Sequence, residues 1–123
     1  MKALLGVISE QKLRTKMLAI AAGKYHPGPS EPNIWFASLN AIGQILSNDN
    51  IVLLRLMDQA KPATISELAR LSGRQVSNLS TTLKTLEGHG FVTLIRKGNT
   101  VQPIARYTDF EIHIESDWIM TAA

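Results

Sequence analysis

The segment TISELARLSGRQVSNLSTTLKTLEGHGFV, residues Thr64–Val92, constrains the fold more than any other part of the chain. Thr64 with Glu67 three residues later forms a capping box, in which each side chain satisfies an amide at a helix start. Leu68, Ala69 and Leu71 supply the inner face of a short helix. Ser72 and Gly73 then make a tight turn, because glycine takes the left-handed backbone conformation at helix ends without steric cost. A second helix is predicted from about Arg74 to Glu87, with Val76, Leu79, Leu83 and Leu86 repeating at helical spacing as one narrow apolar stripe.

After Gly88, His89 and Gly90 the period changes from helical to alternating. Phe91, Thr93 and Ile95 alternate with Val92 and Leu94, Arg96-Lys97-Gly98-Asn99 makes a basic turn, and Thr100–Tyr107 returns, so a hairpin is predicted. Upstream, Ala3–Ile8 reads as a strand and Ser9 caps a helix to about Ala22, with Leu13, Met17, Ile20 and Ala21 inward and Lys12, Arg14 and Lys16 outward. Gly23 stops that helix, and Lys24–Pro32, holding Pro27, Pro29 and Pro32, reads as a linker. Ile34–Phe36 is a short strand. Ser38 and Ser47 each cap a further helix, the first bearing Leu39, Ile42, Ile45 and Leu46, the second Ile51, Leu54, Leu56 and Met57 and ending before Lys61-Pro62. Phe110 alternates within DFEIHIE as one face of a last strand.

Charge is informative by position rather than by sum. The net charge is only +3, yet residues 74–106 carry Arg74, Lys84, Arg96, Lys97 and Arg106 against Glu87 alone, while residues 107–123 carry Asp109, Glu111, Glu115 and Asp117 with no Lys or Arg. The helix opposite its apolar stripe presents Arg74, Ser77, Asn78, Thr81, Lys84 and Thr85, with Gln75 at its start, and no acid occurs from Arg74 to Leu86. A solvated surface helix commonly mixes Glu with Lys for paired stabilisation. Hydroxyls, amides and cations without carboxylates are instead the groups that bond base edges and phosphates in the major groove. With Arg96, Lys97 and Asn99 at a hairpin tip, where minor-groove potential attracts cations, the pattern points to double-stranded DNA as partner.

The order helix, helix, turn, helix, basic hairpin over Ser47–Tyr107 resembles the winged-helix transcriptional regulators of the MarR-like type. Over residues 1–115 the chain is similar to a group of small predicted prokaryotic regulators, through "AIAAG", the proline-rich linker, "EPNIWFASLNAIGQIL" and "LKTLEGHGFV". The resemblance implies DNA binding and, for antitoxin-like members, a cognate toxin as protein partner. Where that group opens the helix after "IL" with proline and basic residues, this chain has Ser47, Asn48, Asp49 and Asn50, leaving only backbone amides to meet phosphate there.

The expected architecture is therefore α+β: a winged helix-turn-helix over 34–115, an N-terminal strand-helix arm with its linker over 1–33, and a tail over 116–123. A hydrophobic share of 45% with 19% charged residues fits a globular chain. The apolar run Ala3–Ile8 is too short for a signal core or membrane span, and cysteine is absent, so a cytoplasmic location without membrane association is expected. Neither a cofactor nor a metal is expected: His26, His89 and His113 are dispersed, and no GxSxG elbow, phosphate loop or paired acid cluster occurs. The reading is of a non-enzymatic, sequence-specific regulator, homodimeric because one recognition helix covers few base pairs, with the N-terminal arm and the region of Trp118 as candidate interfaces. The alternative is a module that neutralises or scaffolds a partner protein, motivated by the basic N-terminal helix and acidic tail.

Overall fold

The computed structural model describes residues 2–24, 32 and 34–114, so His26, Trp118, most of the proline linker and the tail lie outside the described residues. The protein is α+β, with the order β1 (Lys2–Val7), α1 (Glu10–Ala21), β2 (Ile34–Phe36), α2 (Leu39–Ile45), α3 (Asn48–Ala60), α4 (Ile65–Ser72), α5 (Val76–Gly88), β3 (Val92–Lys97), β4 (Thr100–Ala105) and β5 (Asp109–Ile114). The described residues form two compact units, one of residues 45–108 and one combining those before residue 45 with residues 109–114.

The second unit departs from the expected division at residue 33. β1 is the centre of a parallel sheet in the order β2-β1-β5, pairing Leu5 with Ile34 on one edge and Leu5 with Ile112 on the other. β2, α2 and β5, expected within the domain over 34–115, thus belong with the supposed arm. The reason is that β1, with Ala3, Leu5, Gly6 and Val7 all buried, needs hydrogen-bonded neighbours on both sides. In this register Gly6 lies beside Trp35, and a Cβ there would run into the indole ring.

α1 starts at Ser9, whose hydroxyl accepts from the Lys12 amide at 3.3 Å. Its faces differ from the predicted ones. Leu13 and Ile20 are half-buried, but Met17 and Ala21 are exposed, whereas Lys16 lays its ammonium 4.0 Å from the centre of the buried Trp35 ring. A long aliphatic stem with a cationic tip can cover an aromatic surface that a shorter apolar residue does not reach. On the sheet, Lys2 and Glu111 form an exposed ion pair at 2.9 Å, and His113 meets the other Glu111 oxygen at 2.9 Å. The hydrogen bonds from His113 and Lys2 hold the Glu111 carboxyl below its ordinary range, and Glu111 in turn raises the Lys2 ammonium.

In the unit of residues 45–108, Leu53, Leu54, Met57, Leu68, Leu79, Leu83, Leu86, Phe91 and Val92 form an apolar core. Ser47 caps α3 through the Asn50 amide at 3.2 Å. α3 stops where Lys61, the residue before Pro62, takes a left-handed conformation with φ of 48°. Thr64 accepts from the Glu67 amide at 3.0 Å, as predicted, but Glu67 reaches back to the Ala63 amide at 3.1 Å, one residue before the cap. Gly73 ends α4 with φ of 75°, as its position in the sequence predicts.

Candidate nucleic-acid interface

α5 begins at Val76, two residues later than predicted. Leu79, Leu83 and Leu86 are wholly buried, but Val76, in the first turn, is 48% exposed. At about 100° per residue, Ser77, Asn78, Thr81, Lys84 and Thr85 fall within an arc of about 120° opposite that stripe. All five are exposed. The structure therefore brings these predicted residues together on one helix face.

The two threonine hydroxyls on this face are already engaged. Thr81 donates to the Ser77 carbonyl at 3.3 Å and Thr85 to the Thr81 carbonyl at 3.1 Å. Such back-bonding leaves the oxygen lone pairs facing outward, suited to accept from an exocyclic amine, while a rotation would let the hydroxyl donate to phosphate.

The start of α5 differs from the other helices. Hydroxyls of Ser9, Ser38, Ser47 and Thr64 accept from amides at the starts of α1, α2, α3 and α4. Gln75, at the corresponding position of α5, is exposed and makes no side-chain capping bond. First-turn amides of this helix are consequently left for an external acceptor, and the helix dipole adds partial positive charge at the same end.

Arg74 stands apart from the face predicted for it. It precedes α5 in the turn, is half-buried, and donates from Nη1 to Asn50 Oδ1 at 3.2 Å, while its amide bonds Ser72 Oγ at 3.3 Å. Asn50 also donates from Nδ2 to the Ile45 carbonyl at 2.9 Å. Asn50 thereby ties the Arg74 guanidinium to the opening of α3.

β3 and β4 form a two-residue hairpin in which Lys97 opposes Thr100 and Thr100 Oγ1 donates to the Lys97 carbonyl at 2.9 Å. Gly98 has φ of 62° while Asn99 stays outside the positive region, so the turn is of the II′ kind, which suits glycine at its first central position. Arg96, Lys97 and Asn99 are all exposed at this tip. Strand alternation places Arg96 on the same face as Val92 and Leu94, and Lys97 on the opposite face with Thr93 and Ile95. The hairpin base is anchored by the buried Phe91, whose carbonyl accepts from the Arg106 amide at 2.9 Å.

Arg70, exposed in the last turn of α4, is a cation that the sequence pattern did not single out, because it lies outside the acid-free helix. The signal was its place beside the turn, off the Leu68–Ala69 face. Concavities of this unit include two near these elements. One, of about 300 Å³, is lined by Asp49, Val52, Leu53, Leu56, Leu71, Ser72 and Arg74. The other, of about 210 Å³, lies between the end of α3 and β4. Neither holds a nucleophile paired with a base, and among the described residues no three His, Cys, Asp or Glu gather as a metal site. Among the same residues no helix is long and apolar enough to cross a membrane.

No curated protein matches the chain. A family match does cover residues 45–112, more than half of the chain, and it begins at the first residue of the unit that carries α5 and the basic hairpin. By that match, the chain belongs to the HVO_A0114 family.

Proposed function

We propose that the protein is a non-enzymatic, sequence-specific regulator of transcription that reads double-stranded DNA in the cytoplasm through a winged helix-turn-helix. In this reading α4 and α5 are the helix-turn-helix, of the MarR-like kind, and β3-β4 is the wing. The single observation that carries it is the exposed acid-free face of α5, Ser77, Asn78, Thr81, Lys84 and Thr85, beside a helix start that no side chain caps. Base edges would be met by Gln75, Asn78 and Thr81, with amide side chains suited to adenine, and phosphates by Ser77, Lys84 and the first-turn amides. Cations on opposite faces of the wing tip suit the minor groove, since both of its walls carry phosphate. Arg74 acts here as a positioning residue, holding the turn against α3. A homodimer would supply the two half-sites that specificity requires.

Binding to the DNA upstream of the gene, followed by fluorescence anisotropy across salt concentrations, tests this reading. Arg96→Ala with Lys97→Ala is expected to weaken all duplexes alike and to reduce the salt slope by about 2, one for each cation withdrawn from a phosphate. Asn78→Ala is expected to cost about 1–3 kcal/mol at one base pair and to relax preference there. Binding unchanged in both variants would remove the reading.

A second reading, that the module holds a partner protein such as a cognate toxin, draws on the concavity between α3 and α4, where Val52 is 64% and Leu71 41% exposed. A stoichiometric partner on purification, with no duplex bound at low salt, would favour it over the first.

A further inference from the structure

The strand β5 closes one side of the β2-β1-β5 sheet, and over Glu111–Ile114 its backbone makes no hydrogen bond among the described residues beyond the ladder to β1. An edge of this kind is normally blunted by lysine, proline, a bulge or a covering element. Here it carries none of the first three over those residues. Ile112 and Ile114 are 43% and 42% exposed, while Leu5 and Val7, their neighbours in the β1 register, are wholly buried. Among the described residues, the apolar face of the sheet thus runs out to an uncovered margin.

What this margin fits can be worked out from its own sequence. Alternation puts Phe110, Ile112 and Ile114 on one face and Asp109, Glu111 and His113 on the other. A two-fold antiparallel pairing of β5 with itself keeps like faces together only when it is centred on a residue. Two such centres give the longest overlap within the strand. Centring on Glu111 sets that carboxylate directly against its copy, which is repulsive. Centring on Ile112 sets Glu111 against His113 of the second copy on both sides of the axis, Ile112 against Ile112, and Phe110 against Ile114. A carboxylate thus faces an imidazole, its hydrogen-bond partner, and apolar side chains face apolar ones throughout this register.

We propose that β5 is the self-association surface of the protein, pairing antiparallel with β5 of a second copy about Ile112 to make a continuous six-stranded sheet. Main-chain hydrogen bonds would supply affinity, and the Glu111–His113 pairing the register. Lys2, bonded to Glu111 at 2.9 Å, adds a cation to each side of the same polar face. The proposal does not rest on DNA binding: a monomer that binds DNA overturns it alone, and a dimer indifferent to DNA overturns the regulatory reading alone.

Because the chain has no cysteine, the register can be tested by single thiols. Ile112→Cys places two sulfurs opposite each other at the axis, with Cβ atoms about 4.5–5.5 Å apart, and mild oxidation is expected to convert most of the protein to a covalent dimer. Val52→Cys, exposed on α3, is the control and should remain monomeric on denaturing gels. In sedimentation equilibrium without DNA the unmodified chain should be a dimer, and Ile112→Lys should raise its dissociation constant by about tenfold or more with an unchanged circular dichroism spectrum. A chain that is monomeric at all concentrations, a dimer insensitive to Ile112→Lys, or equal cross-linking through Val52→Cys would overturn the proposal. Should Ile112→Lys fail to fold, the cross-linking contrast decides.

Discussion

At Gly6 a single missing Cβ determines how a strand meets its neighbour. The Trp35 ring occupies the space a methyl group would need, and Pro32 Cβ lies 3.1 Å from the same point, so neither neighbour can give way alone. Gly6→Ala is expected to cost about 2–3 kcal/mol, as overpacking of a filled site does, and a fall in the urea midpoint at constant slope measures it. Trp35 itself is 7% exposed, and its Nε1 is buried without a hydrogen-bond partner among the described residues. Lys16 covers the ring on a side that the sequence periodicity of α1 had assigned to solvent. That error has a physical source: α1 buries none of its residues, so an apolar stripe at helical spacing had no deep core to face. Arg74 shows the same limit, since only the fold brings its guanidinium to Asn50, 24 residues away.

Capping distinguishes α5 from the other helices, and this is a property of the element rather than of one contact. Serine or threonine hydroxyls close the starts of α1 to α4, each worth about 1 kcal/mol relative to alanine. α5 forgoes this with Gln75. Gln75→Ser is therefore expected to stabilise the protein by about 1 kcal/mol, read as a raised midpoint in chemical denaturation. An unchanged midpoint would mean that these amides already have an equivalent partner in solution. Stability given up at a helix end exposed beside a polar, acid-free face is the pattern expected where an external anion completes the cap. The hairpin follows a different logic: its II′ turn is dictated locally by Gly98, and its alternation sends Arg96 and Lys97 to opposite faces.

On the scale of the whole chain, β5 is the last described element and joins the first. Lys2–Val7 pairs with Asp109–Ile114 along its full length, so the sheet unit is complete only when residues more than a hundred positions apart have met. A chain ending at Thr108 should keep the helices and hairpin of residues 45–108 but lose order in β1. Hydrogen exchange should then speed by about tenfold or more over Leu4–Val7 while α5 stays protected. Undiminished protection in β1 would show that β2 alone suffices to hold it.

Local chemistry made most elements legible in advance. Capping hydroxyls, Gly73, Pro62, the alternation of Phe91–Ile95 and the Gly98 turn act within a few residues of where they are written, so the helix starts, the α4–α5 turn and the hairpin could be read from sequence. The acid-free face of α5 and the basic tip were legible for the same reason. What only the tertiary structure decided was partnership across distance: that β1 lies between β2 and β5 in one parallel sheet, that Lys16 covers Trp35, and that Arg74 turns to Asn50. A strand's alternation states which face is apolar but not which strand it pairs with, because the backbone groups that make the pairing are identical in every residue.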